Sequence, residues 1–259
     1  MQTLPLTRRN FLKESLVIAG PIVAVTAGPL AAVAAEAAPA RALKVCCIGA
    51  HPDDPESGCA GTLARYAQLG NSVTVVYLTR GERGIRGKSY EEAASIRSQE
   101  CIAACEVIGA KPVFFGQING ATEVNNTQVD AMSRLLAAQA PDVVFAHWPI
   151  DTHMDHQVAS ILAIRACMAL PRPPLLFFFE VNTGSQSRGF LPNTYVDVSQ
   201  VVEKKKGALL AHVSQDGLGI WRQHHEPIGI WRGREAGVSM AEAFVHLTRD
   251  NSVSNLPGI

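Results

Sequence analysis

Two clusters of imidazole and carboxylate side chains could do chemistry in this 259-residue chain. The first, Ala50-His51-Pro52-Asp53-Asp54, closes the apolar run Val45-Cys46-Cys47-Ile48-Gly49. A strand that ends in a histidine and two adjacent carboxylates sets a neutral imidazole and two anions at the mouth of a sheet, where α/β folds gather their reacting groups. One carboxylate can join the histidine on a metal while its neighbour points elsewhere and serves as a base. The second cluster, His153-Met154-Asp155-His156, follows another apolar run much later in the chain. Two such clusters, each just past a buried-type strand, imply one shared site.

The elements that must position them follow from the hydrophobic pattern. Apolar runs at 43–50, 72–79, 112–115, 142–147 and 175–181 read as strands. Helical periodicity over 57–69, 90–108, 127–140 and 155–170 supplies the connections, with Gly70 and Gly109 closing the first two helices. A Gly/Arg-rich loop covers 80–88. Unbroken apolar strands alternating with helices specify an α/β fold, a doubly wound and mostly parallel sheet with helices on both faces. A strand order of 3-2-1-4-5 makes strands one and four neighbours with connections leaving in opposite directions. Both clusters then converge on the switch-point crevice. Past 181 the pattern gives a strand over 195–198 and a helix over 201–212, with Lys204-Lys205-Lys206 as a solvated face. Residues 217–237 read as irregular structure forming a lid or wall, and 239–247 as a last helix.

Composition bounds the rest. With 47% hydrophobic and 18% charged residues the chain can bury a full core, and its formal net charge of zero favours neither nucleic acid nor anionic lipid. Thr7-Arg8-Arg9-Asn10-Phe11-Leu12-Lys13 resembles a twin-arginine export signal, followed by a weakly apolar stretch broken by Gly20, Pro21, Gly28 and Pro29. Residues 1–37 are thus expected to engage the twin-arginine translocase, and 38–259 to form a single periplasmic or secreted domain. A permanent membrane anchor is disfavoured by the Gly/Pro content. The six cysteines form no C-x-x-C pair and read as small buried hydrophobes, Cys46 and Cys47 on opposite faces of the first strand.

The motifs, taken together, carry a family resemblance. His51-Pro52-Asp53-Asp54, Gly58-Cys59-Ala60-Gly61-Thr62-Leu63, Leu78-Thr79-Arg80-Gly81-Glu82, Arg97-Ser98-Gln99-Glu100, Pro149 to His156 and His212-Val213-Ser214-Gln215 occur in the order found in the PIG-L/LmbE-like zinc deacetylases, which this chain resembles over nearly all of its length past the leader. The resemblance implies a Rossmann-like sheet and hydrolysis of an N-acetyl group, mostly on N-acetylglucosamine-containing substrates. By position it implies His51, Asp54 and His156 as ligands of Zn2+, with Asp53 as general base. His153 becomes the stabiliser of the tetrahedral intermediate or general acid, with Asp155 setting its tautomer. It implies Arg97 as a substrate contact, against a helix-surface arginine paired with Glu100, and Asn119 in the place of a sugar-binding aspartate.

Pro55 stands where relatives carry glutamate, with Glu56 following, and Asp151 where some carry tyrosine. These departures bear on the substrate more than on the metal chemistry. The substrate is expected to be a small molecule or glycan. Two other classes fit the same crevice: a metal-dependent phosphoesterase, and a non-catalytic carbohydrate-binding protein. Retention of Asp53 and His153 speaks against the latter.

Overall fold

The computed structural model describes residues 41–248, so the expected export signal lies outside the described residues. Its strands and helices run β1 (Lys44–Gly49), α1 (Asp54–Gln68), β2 (Ser72–Thr79), α2 (Tyr90–Ile108), β3 (Lys111–Gln117), α3 (Asn126–Gln139), β4 (Val143–His147), α4 (Met154–Ala169), β5 (Leu175–Phe179), β6 (Thr194–Asp197), α5 (Val202–Leu210), α6 (Gly217–Ile220), α7 (Glu226–Ala236) and β7 (Ala241–His246). Seven strands form one sheet in the order β3-β2-β1-β4-β5-β7-β6. The first five are parallel, and β7 runs antiparallel to both β5 and β6. The order 3-2-1-4-5 is therefore present, extended by an antiparallel edge. Among the described residues, no helix is long and apolar enough to cross a membrane.

Each face of the sheet carries its own core, because successive side chains of a strand point to opposite sides. Cys47, Val75 and Phe145 pack with Cys59 and Leu63 of α1, Cys105 of α2 and Leu209 of α5. Cys46, Val76 and Val144 pack with Met132 and Leu136 of α3 and with Leu162 of α4. All six cysteines are buried and free. Pairing of Ile48 with Ala146 makes the carboxyl ends of β1 and β4 level, so His147, the last residue of β4, stands beside the turn after β1 that carries His51.

Two stretches differ from the sequence pattern. Residues 217–236 are helical throughout, α6 passing through a π-helical turn (Trp221–His225) into α7, which Gly237 ends. The glycines that made this segment read as irregular serve packing. Gly229 abuts Met240, and a Cβ on Gly233 would lie 2.8 Å from the Val238 carbonyl oxygen. Pro227 sits in the first turn, where its missing N–H costs nothing. The expected helix over 239–247 is instead strand β7. Ala, Glu and Met favour helix locally, but pairing with strands on both sides overrides propensities worth only tenths of a kcal/mol each. Lys205, expected on a solvated face, is 2% exposed.

Close approach of α1 to the sheet depends on Gly58, where an added Cβ would overlap the Phe179 ring. Gly58→Ala is expected to destabilise the fold by about 1–3 kcal/mol through overpacking, read by denaturant unfolding; an unchanged midpoint would show that α1 can move away freely.

Candidate metal centre

Asp54, the first residue of α1, is 4% exposed and has imidazoles on several sides. Its Oδ2 lies 3.1 Å from His51 Nδ1 and 3.2 Å from His147 Nε2, and its Oδ1 lies 3.3 Å from His156 Nε2. The Oδ2 atom also accepts the His51 backbone N–H at 2.7 Å, which closes the β1–α1 turn on the carboxylate. His153 completes the group: ligand atoms of His51, His153 and His156 lie within 4.8 Å of one another, as do those of Asp54, His147 and His156. These side chains, His147 excepted, line a crevice of about 300 Å3 together with Asp53, Arg97, Asn119 and Gln215.

The far sides of His51 and His156 each face a second carboxylate. His51 Nε2 donates to Asp155 Oδ2 at 2.9 Å, which leaves Nδ1 turned toward Asp54. Asp155 also accepts from Asn119 Nδ2, the Gly120 N–H and Thr122 Oγ1. Burial opposes its charge, yet these hydrogen bonds keep its carboxyl well below the usual range. His156 Nδ1 lies 3.3 Å from Asp151 Oδ1, and Asp151 is fixed in turn by the His153 N–H and Ser187 Oγ. Burial disfavours a charged His156, but Asp54 and Asp151 outweigh it and lift the imidazole to about 10. Two buried carboxylates that can hold a proton on His156 make the place favourable for a cation, and a histidine backed by a carboxylate is the usual form of a metal ligand. The residues present therefore fit a divalent metal, with His51, Asp54 and His156 as donors.

Asp53 stands beside this group without belonging to it. It precedes α1 with a backbone φ of 105°, a region that L residues other than Asn and Asp rarely enter. Three contacts hold it there. Arg97 donates to Asp53 Oδ2 at 3.0 Å and to the Pro52 carbonyl, while fully buried Glu56 accepts the Asp53 N–H at 3.1 Å. Glu56 also accepts from Tyr77 Oη and lies 3.5 Å from His212 Nε2. Burial pushes the Asp53 carboxyl up to about 6, against the pull of Arg97.

The similarities to known proteins agree with this geometry. Residues 46–167 match the PIG-L family, described as GlcNAc-PI de-N-acetylase. The diacetylchitobiose deacetylase of Thermococcus kodakarensis is 30% identical over 220 residues, spanning 78% of this chain and 82% of that protein. This chain belongs to the PIG-L family. The crystal structure of a conserved protein from Thermus thermophilus, TT1542, superposes with a TM-score of 0.71 at 30% identity, covering 82% of this chain and 97% of that one. The sheet is thus the Rossmann-like α/β fold of the PIG-L proteins. A 4-oxalmesaconate hydratase of Pseudomonas putida is also related, at 24% identity over 77% of this chain and 84% of its own length.

With the family established, the site residues read from sequence can be placed one by one. His51, Asp53, Asp54, His153 and His156 meet in the crevice. Arg97 is 3% exposed and faces Asp53 rather than Glu100, which binds Ser214 instead. Gly81 and Gly84 let the 80–88 loop close over that guanidinium, since a Cβ at either would overlap it. Asn119 lines the crevice with its amide engaged, Nδ2 to Asp155 and Oδ1 to the Arg83 N–H. The Asp155 carboxylate orients His51, not His153; only its backbone N–H reaches His153 Nδ1, at 3.2 Å, capping the start of α4. Trp221 belongs to the core, and Trp231 is exposed with Nε1 on Glu235.

His147 is the residue no motif singles out. It ends β4, stacks on His156 with centroids 4.2 Å apart, and accepts the Ala50 N–H at 3.0 Å. Burial and the neighbouring His156 lower its pKa to about 4, so it packs beneath Asp54 as a neutral ring.

Asp151 carries a direct test. Asp151→Ala removes the carboxylate behind His156 and is expected to weaken divalent-metal binding about 10–100-fold, measured by competition with a chromophoric chelator. Unchanged affinity would contradict this role.

Proposed function

We propose that the chain is a zinc-dependent hydrolase that removes the acetyl group from an N-acetylated sugar of the N-acetylglucosamine type. The observation that carries this reading is a carboxylate outside the donor set, Asp53, held by Arg97 beside the buried His51, Asp54 and His156. Two imidazoles and one carboxylate suit Zn2+ and leave positions open for water and substrate. Bound there, the metal would polarise the amide carbonyl and bring the pKa of a coordinated water to roughly 7.

The chain's own residues supply the remaining work. Asp53 accepts the proton of the attacking water on a carboxylate oxygen, and Arg97 keeps that carboxylate ionised and aimed. The Asp155 N–H occupies His153 Nδ1, so Nε2 carries the hydrogen. Burial lowers the His153 pKa, and His51 and His156 add to the shift, giving a neutral donor for the oxygen that gains charge or the nitrogen that leaves. At about 300 Å3 the crevice lies at the small end of ligand sites and supports recognition of a single sugar ring at a time. Asn119 keeps an unused lone pair for a hydroxyl. The two possible ligand groups share His156, which supports one metal rather than the pair about 4 Å apart common in phosphoester cleavage. The Thr7-to-Lys13 motif supports export by the twin-arginine translocase and action in the periplasm or beyond.

Acetate release from a panel of N-acetylated sugars tests the proposal. The zinc-loaded protein should release acetate, chelation should stop it, and added zinc should restore it. Asp53→Asn tolerates the positive φ and should keep its zinc while losing about 10²–10⁴ in turnover. Full turnover in that variant would refute the base. Hydration of an unsaturated acid with no acetate from any amide would refute the hydrolase reading.

A further inference from the structure

Behind the crevice lies a buried ion pair that touches none of the reacting groups. Lys205 of α5 and Glu242 of β7 are 2% and 4% exposed, with Nζ and Oε1 2.5 Å apart. Both grip the backbone of α1. Lys205 Nζ donates to the carbonyls of Ser57 at 2.7 Å and Glu56 at 3.3 Å. Glu242 Oε1 accepts the Gly61 N–H at 2.9 Å and Oε2 the Thr62 N–H at 2.7 Å. In a regular helix the Ser57 carbonyl and the Gly61 N–H are each other's partners. Here two residues from remote elements address both. Gly61 makes this possible, since a Cβ there would stand 2.7 Å from Val198 Cγ1 and 3.2 Å from Glu242 Oε1.

Stability alone does not account for the pair. Removing two charges from water generally costs as much as their attraction returns, and apolar residues of similar volume often serve the fold as well or better. What apolar residues cannot do is hold backbone carbonyls and amides at a fixed distance from α5 and β7. The gripped segment begins two residues after Asp54, in the same turn of α1 that presents Asp54 to the imidazoles and follows Asp53.

We propose that the Lys205–Glu242 ion pair is a positioning clamp: by holding the first two turns of α1 from behind, it sets where Asp54 meets the metal and where Asp53 stands beside it. Both residues lie outside the 46–167 segment matched by the family, so the carboxy-terminal part of the chain sets the geometry of the amino-terminal cluster. The inference rests on reading the site as a metal centre.

The test titrates zinc into the metal-free full chain against a chromophoric chelator and records a thermal melt in parallel. Lys205→Met combined with Glu242→Met keeps the volume and removes both grips. The melting temperature should hold or rise, while zinc affinity falls about 10–100-fold. A folded double variant that binds zinc as tightly as the wild type overturns the clamp. Glu242→Gln keeps the shape and one acceptor oxygen, and covers the case of a double variant that does not fold. It should lose about tenfold in zinc affinity with a lowered melting temperature, because Lys205 loses its counter-charge, and wild-type affinity in it also overturns the clamp. A wild type that binds no zinc overturns the metal-centre reading itself, a distinct result.

Discussion

A buried carboxylate that must not stay alone is the constraint on which this structure depends. Asp54 is largely withdrawn from water, and an unpaired anion in such a place costs several kcal/mol. Its neighbours come from three separate places: His51 in the turn after β1, His147 at the end of β4 and His156 in the first turn of α4. Only adjacency of β1 and β4 brings them together, because their parallel register makes the two strand ends level. The strand order is therefore a condition of the chemistry, not a frame around it.

Around that core, support is arranged in shells of carboxylate. Asp155 stands behind His51, Asp151 behind His156, and Glu56 beneath Asp53. Each fixes a ring or a backbone group that would otherwise turn. The departures from the family pattern find their place here. Pro55 removes the glutamate that relatives carry, and Glu56, one residue on, reaches the Asp53 N–H as a capping group does in the first turn of a helix. Asp151, where some relatives place tyrosine, backs His156 and ties the loop to Ser187. Asn119 lines the crevice with an uncharged side chain whose amide donates to Asp155.

Much of this was legible from the residues in order. His51, Asp53 and Asp54 end an apolar run, and His153 and His156 open a helix after another, so the sheet's own logic aims them at one crevice. The parallel strands read clearly because their apolar runs are continuous and bounded by glycine or charge. Pairing that depends on distant partners did not read. Lys205 sits in a run of three lysines that looks solvated, and its burial is explained by Glu242, 37 positions later, and by the carbonyls of α1. β7 has a helix former's composition and becomes a strand because β5 and β6 leave a gap between them. Arg97 has a glutamate three residues on, a normal helical partner, yet α2 turns it inward toward Asp53. His147 had one available signal, its rank at the end of β4 opposite Gly49, which appears only once β1 and β4 are paired.

The most direct test of the central claim is X-ray absorption at the zinc edge of the loaded protein. The account requires one zinc per chain in a light-atom shell of nitrogen and oxygen at about 2.0–2.2 Å, with scattering from two imidazoles and no sulfur. Sulfur at about 2.3 Å, which six buried cysteines make a meaningful alternative, or a shell without imidazole, would contradict it.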